Sequence, residues 1–323
     1  MNDASPATTT GHAAGADSIE AVLRAELAHG DALLGTIVPI MRHLVAHDDH
    51  SVFSEEIVAR TRGMLEDIAR QLLLAAPDDA STEDQRVPPR DTVIALVGAL
   101  AADSGLLAHV HALALEWQLT QRLHARLGLD AVLSPLLQAL IASPDAATAG
   151  AGMSLLAAQA RFTQAQRRMQ LPLGELPADL LHTALVALRG RSELSLAQID
   201  AAERRICEKF DEGRSRLGLM TRLILGMGGG AHVALSVDHA GAALFLTALG
   251  IANGQDRALA VISTNEVQVA RLSLALSAAG LKAPAIEEQF LALHPDIALP
   301  EGFEAIVPDR AAAMLAQGSG YPG

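Results

Sequence analysis

At 323 residues, half of them hydrophobic but only 2% aromatic, the chain can bury a sizeable core and must build it mainly from Ala and Leu. That composition favours helix against helix and argues against an all-β protein. A formal net charge of -13 argues against a nucleic-acid partner, which needs a concentrated Lys/Arg surface, and the single cysteine, Cys207, excludes an intrachain disulfide framework or a cysteine zinc cluster.

In chain order, residues 1–17 are polar, lack a basic stretch followed by an apolar one, and read as a disordered tail rather than a secretory signal. From Ser18 the spacing of Ile19, Val22, Leu23 and Leu27 predicts a helix, and Pro39 suits the first turn of a second one. A turn is expected at 46–50. Ser54 followed by Glu55 and Glu56 caps a helix whose apolar face is Ile57, Met64, Leu65, Ile68 and Leu72. The acidic stretch 77–90, closed by Pro88-Pro89, reads as a linker.

Asp91 starts a short apolar helix, Asp103-Ser104-Gly105 interrupts it, and 106–127 forms another that Gly128 can end. Ser134-Pro135 and Ser143-Pro144 each pair a capping hydroxyl with a proline, so two further helices are expected there, and Pro177 opens one more. Ser195 and Gln198 form a capping-box pattern before a long amphipathic helix near 196–225. Its apolar positions Ile199, Ile206, Phe210, Leu217 and Met220 step by threes and fours, the seam of a coiled coil or tightly packed helix pair, although Glu203 and Gly213 break it. These five residues are the candidate interface.

Ser236 is the expected cap of an apolar helix to about 249. Residues 258–263 make the best strand-like fragment, Ser263-Thr264-Asn265-Glu266 reads as a capping box for a helix to 279, and Gly280 is its stop. Pro284 and Pro308 begin the last two helices, and the tail frays from 318.

The expected fold is therefore all-α, a multi-helix bundle or an irregular stack of helical hairpins. The expected division is a tail (1–17), an N-terminal helical unit (18–76), the linker (77–90), an all-helical main domain (91–317) and a second tail (318–323). The segments Leu133-Ser134-Pro135-Leu136-Leu137, Ala142-Ser143-Pro144-Asp145 and Asp256-Arg257-Ala258-Leu259-Ala260-Val261, with 272–280, resemble an alphaproteobacterial family of helical, HEAT-like proteins, domain-of-unknown-function family 2336. The resemblance implies an all-helical, bacterial protein and no catalytic residues.

Several constellations could carry chemistry. Gly226, Gly228 and Ala231 match a dinucleotide fingerprint, and Gly229 and Gly230 would let backbone amides approach a phosphate, but an amphipathic helix precedes them where the fingerprint needs a strand. An elbow between helices is the plainer reading. His232, Asp238 and His239 could supply a base with its carboxylate, or part of a metal site; alternatively Asp238 simply complements a helix N-terminus. His43 and His47 share a helix face as a possible two-point metal grip, against a plain solvated helix end. His109 and His111, two apart, point to different faces. Cys207 is expected to pack beside the seam, and Trp117 to anchor a core or interface.

The uncharged runs at 223–237 and 240–255 are each shorter than a spanning helix requires and read as a buried core pair, with a re-entrant hairpin as the alternative. Together these features describe an acidic cytoplasmic protein without metal or cofactor. Its expected role is a protein–protein interaction or signalling adaptor module that binds a protein partner or a second copy of itself. The alternative is a small-molecule or metal-dependent binding protein or hydrolase using the corner from Gly226 to His239.

Overall fold

The computed structural model describes residues 9–46, 55–76, 88–191 and 194–318. Fourteen α-helices and no strand lie among them, so the all-α class holds. The turn at 47–50 with His47, the Ser54 cap, residues 77–87 of the linker and the ends of both tails fall outside the described residues.

Helix α1 (Thr9–Ala46) starts within the expected tail and runs unbroken through Pro39, where a second helix was expected to begin. Proline removes one helical hydrogen bond and crowds the preceding turn. Here Pro39 is exposed, while Leu34, Val38 and Met41 are buried and keep the helix pinned along its other side. Helices α2 (Glu55–Leu74), α3 (Arg90–Ala102) and α4 (Ser104–Leu127) follow. The expected break at Asp103 is real: its carboxylate accepts the Leu106 N–H at 2.8 Å and caps α4, and Gly128 ends that helix at a left-handed φ of 68°.

The expected Ser134 cap forms on α5 (Pro135–Ile141), whereas α6 (Ala146–Arg167) is capped by Asp145 rather than Ser143, because its carboxylate takes the Thr148 N–H at 2.8 Å. Helix α7 spans Ala178–Arg189. Both hydrogen bonds of the Ser195–Gln198 capping box are present on α8 (Leu196–Lys209). The long helix then breaks in two. Asp211 accepts the Gly213 N–H at 3.0 Å, Ser215 accepts the Gly218 N–H at 3.0 Å, and a fresh helix, α9 (Arg216–Gly226), begins. Gly218 makes this turn possible, since a Cβ there would lie 2.2 Å from the Glu212 carbonyl.

Beyond a 3₁₀ turn at Gly228–Leu235, α10 (Val237–Asn253) bends at Gly241, whose φ of 70° and ψ of 165° are open essentially to glycine alone. The strand-like fragment is helical: Asp256 accepts the Ala258 N–H at 2.8 Å and caps α11 (Arg257–Ser263). Asn265 then caps a single 3₁₀ turn, so α12 (Val269–Ala278) starts later than the expected capping box implies. Helices α13 (Ala283–Leu293) and α14 (Pro308–Gln317) complete the chain.

One continuous core joins residues of the expected N-terminal unit, such as Met64 and Leu72, to those of the expected main domain, such as Leu107, Phe245 and Leu274. The division at the linker is therefore not a division of the core. Helix α4 lies at its centre, packed against α2, α10 and α11. Leu106, Leu107, Val110, Leu113 and Leu119 bury more than one side of it, as expected of a helix that is apolar nearly all round. No single helix among the described residues is long and apolar enough to cross a membrane.

Candidate functional site

The residues singled out at 226–239 do not converge. Gly226 is the last residue of α9 and Gly228, Gly229 and Gly230 follow it, and a Cβ at any of them would meet nothing within 4 Å. They are therefore not a site of close backbone approach, and only Gly228 needs glycine, at φ 51°. His232 is exposed, and Asp238 is occupied locally, accepting the Ser236 hydroxyl and the His239 backbone N–H. Ser236 makes no side-chain cap, contrary to expectation, because its hydroxyl is turned to that carboxylate. Among the described residues no three His, Cys, Asp or Glu side chains gather as a metal site, and His43 is exposed on α1.

The interface candidates are distributed over the two shorter helices and, for Phe210, the residue that ends α8. Ile199 on α8 and Met220 on α9 are buried within the chain, and Ile206, Phe210 and Leu217 pack against the core from its edge. No continuous seam faces outward. Cys207 is exposed rather than packed beside it, and half-buried Trp117 carries the Arg60 guanidinium 4.8 Å from its ring centroid.

Sequence reasoning missed what the core holds in their place. Glu116, on α4, receives two guanidinium forks: Arg216 of α9 at 2.8 and 3.1 Å, and Arg257 of α11 at 2.8 and 2.9 Å. Arg216 also lies 3.7 Å from the Phe162 ring centroid, and Arg257 donates to the Thr247 hydroxyl at 2.9 Å. Burial alone would raise the Glu116 carboxyl, but the charges and hydrogen bonds of the two arginines outweigh it and hold the group well below the usual carboxylate range. Every strong acceptor direction of this carboxylate is occupied, which suits it to locking three helices rather than to proton transfer. One signal was legible: Glu116 is the lone acid in the apolar run 106–127.

Among the cavities beside α4, two divide His109 and His111 between them, as their spacing requires. The first, about 280 Å³, lies between α4, the start of α7 and the start of α11, with His109, Asp179, Asp256 and Arg257 on its wall. Burial first, and the Arg257 charge second, lower the His109 pKa to about 4. Asp256 is already engaged as the cap of α11 and Arg257 by Glu116.

The second cavity, about 420 Å³, lies under α1. Leu33, Ile37 and Met41 descend from α1, Ile57 and Val58 from α2, and Ile262 from α11. Helix α4 adds Leu115 and His111, and the turn before α12 adds Gln268. His111 is 6% and Gln268 2% exposed, yet His111 Nδ1 and Gln268 Oε1 have no hydrogen-bond partner among the described residues. Burial lowers the His111 pKa to about 4, so the imidazole is neutral at pH 7.

The walls are well anchored. Gln268 donates from Nε2 to the Gly30 carbonyl at 2.7 Å, and Arg271 of α12 pairs with Asp31, both in α1. Arg42 of α1 donates to the Ala101 and Ala102 carbonyls at 3.1 and 2.9 Å. The Glu116 network fixes α4 to α11 on the opposite wall. Compared with known protein families, characterised proteins and solved structures, the chain matches none.

Proposed function

We propose that this is a non-catalytic helical binding protein whose binding site is the cavity between α1, α2, α4 and α11. The observation that carries this reading is the pairing of apolar walls with His111 and Gln268, two deeply buried side chains that each keep a polar atom unpaired among the described residues. Ligand sites typically combine roughly 300–1,000 Å³ of mostly apolar concavity with a few polar groups that fix orientation. Leaving a buried polar atom unpaired costs about 1–3 kcal/mol, which a bound hydrogen-bonding group would recover.

Titration with N-phenyl-1-naphthylamine, a neutral dye that brightens in apolar surroundings, tests the site. The expected result is saturable one-to-one binding that is lost in Ile37→Phe and in Val58→Phe, each of which fills the cavity from a different helix. Dye fluorescence that does not change, or binding untouched by both fillings, would refute the assignment.

A protein partner or a second copy is the second reading. It is favoured by the exposed apolar Leu225 and Val233 beside the glycine corner. A sedimenting mass that stays monomeric, together with partner capture unaltered by Leu225→Ser and Val233→Ser, would dismiss it. The hairpin of α5 and α6, built on the segments that carry the HEAT-like resemblance, supports kinship with that bacterial family as part of the same proposal.

A further inference from the structure

The charge inventory of the cavity under α1 narrows what it can hold, given that it is the binding site. We infer that its ligand is an electrically neutral amphipathic molecule of roughly fifteen heavy atoms, scaled from the benzene that a cavity of ~150 Å³ accepts. Its apolar body lies along α1 and α2, and a hydroxyl or amide group meets His111 and Gln268.

The argument rests first on composition. Nine of the fourteen described wall residues are aliphatic or Met, the other five are Thr36, His111, Gln118, Asn265 and Gln268, and none of these described residues is Asp, Glu, Lys or Arg. A carboxylate or ammonium entering such a site would lose its water without meeting an opposite charge. Phosphate esters and fatty-acid anions are disfavoured on the same ground.

Geometry supplies the second part. His111 stands on α4 and Gln268 on the turn preceding α12, while Leu33, Ile37, Ile57 and Val58 belong to α1 and α2. The polar contributions of His111 and Gln268 therefore come from elements other than those that carry these four apolar side chains. Gln268 Oε1 can only accept, so its partner must be a donor, whereas a neutral imidazole can serve as donor or acceptor according to its tautomer. A hydroxyl, at once donor and acceptor, satisfies either residue. An alkane satisfies neither.

The low affinity of the buried imidazole for a proton keeps the described wall residues uncharged at neutral pH. An acidic ligand could bind only by first charging His111 against the cost of burial. That rival makes a distinct forecast: affinity for the anion should rise steeply as pH falls through the imidazole range.

A matched ten-carbon series separates the possibilities on the full chain at pH 7, below micelle-forming concentrations: 1-decanol, decanoate and decylammonium. Binding is read by displacement of N-phenyl-1-naphthylamine and by the emission of Trp117, the sole tryptophan, which immediately precedes the wall residue Gln118. The expected result is one-to-one binding of decanol, at least about tenfold tighter than either ion. His111→Leu should weaken decanol, read by Trp117 emission, by about three- to tenfold, the worth of one hydrogen bond. Gln268→Met provides an independent check from the other polar wall, should His111→Leu disturb the packing of α4.

Decanoate or decylammonium binding as tightly as decanol, with the dye still excluded by Ile37→Phe, would overturn the neutral-ligand inference and leave the site itself intact. Decanol affinity unchanged in both His111→Leu and Gln268→Met would overturn it equally. Failure of the dye and of all three chains to bind would remove the site, and the inference with it.

Discussion

Replacing Glu116 with Gln tests whether the buried ion network is what locks α4 in place. The substitution preserves shape but removes the carboxylate charge that both guanidiniums grip. Arg216 is 1% exposed and has no access to water, whereas the Arg257 side chain is 18% exposed and can recover part of its hydration. Removing one partner of a buried pair costs about 3–5 kcal/mol, because the charge left behind is neither solvated nor paired. Arg257→Met, by contrast, leaves the Glu116–Arg216 fork whole and removes a cation that water partly reaches; a loss of about 1–2 kcal/mol is expected. Urea unfolding followed by circular dichroism should therefore move the midpoint of Glu116→Gln well below that of Arg257→Met at a similar slope. If Glu116→Gln proved no more costly than Arg257→Met, the carboxylate would not be the hub of the network, and the rigidity of the α4–α11 wall would need another source.

Further expectations follow from other parts of the core. His111 binds its proton less readily when folded, at about 4 against an ordinary value of 6.5, so the unfolded chain takes up more protons between those values. Stability from this group is complete above about pH 6.5 and falls as pH drops towards 4, by about 3 kcal/mol. His111→Leu should flatten that part of a pH-dependent melting series, and an unchanged slope would count against the burial of its charge-free form. Gly218→Ala should destabilise by about 1–3 kcal/mol, because the added methyl meets a backbone carbonyl that cannot yield as a flexible side chain would. Gly229→Ala, in open space, should stay within about 0.5 kcal/mol of wild type in the same unfolding assay. A large loss there would mean that the glycine corner is tightly packed after all.

The helical class and most boundaries were legible because local signals set them. The Ser195–Gln198 box, the Ser134 cap and the Gly128 and Gly280 stops act over a few residues and survive whatever packs around them. The break between α8 and α9 was harder to read. The threes-and-fours spacing from Ile199 to Met220 persists across it, while the decisive interactions are local side-chain-to-backbone hydrogen bonds at Asp211 and Ser215. Pro39 failed in the opposite direction, since a proline that suits a first turn is also tolerated inside a helix whose buried side holds.

The candidate site was less legible still. His111 drew notice only as one of two histidines, and Gln268 is an ordinary residue of an exposed-looking stretch. Their importance comes from contacts between elements more than a hundred residues apart, such as Gln268 with Gly30, which no local pattern encodes. Glu116 is the exception, because an acid alone in an apolar helix must find cations somewhere in the fold.

A crystal structure of the full chain soaked with N-phenyl-1-naphthylamine tests the binding site most directly. The expected result is dye density between α1 and α4, with its amine within hydrogen-bond distance of His111 or Gln268. Density for the protein's own side chains filling that space, or dye bound only elsewhere, would contradict it.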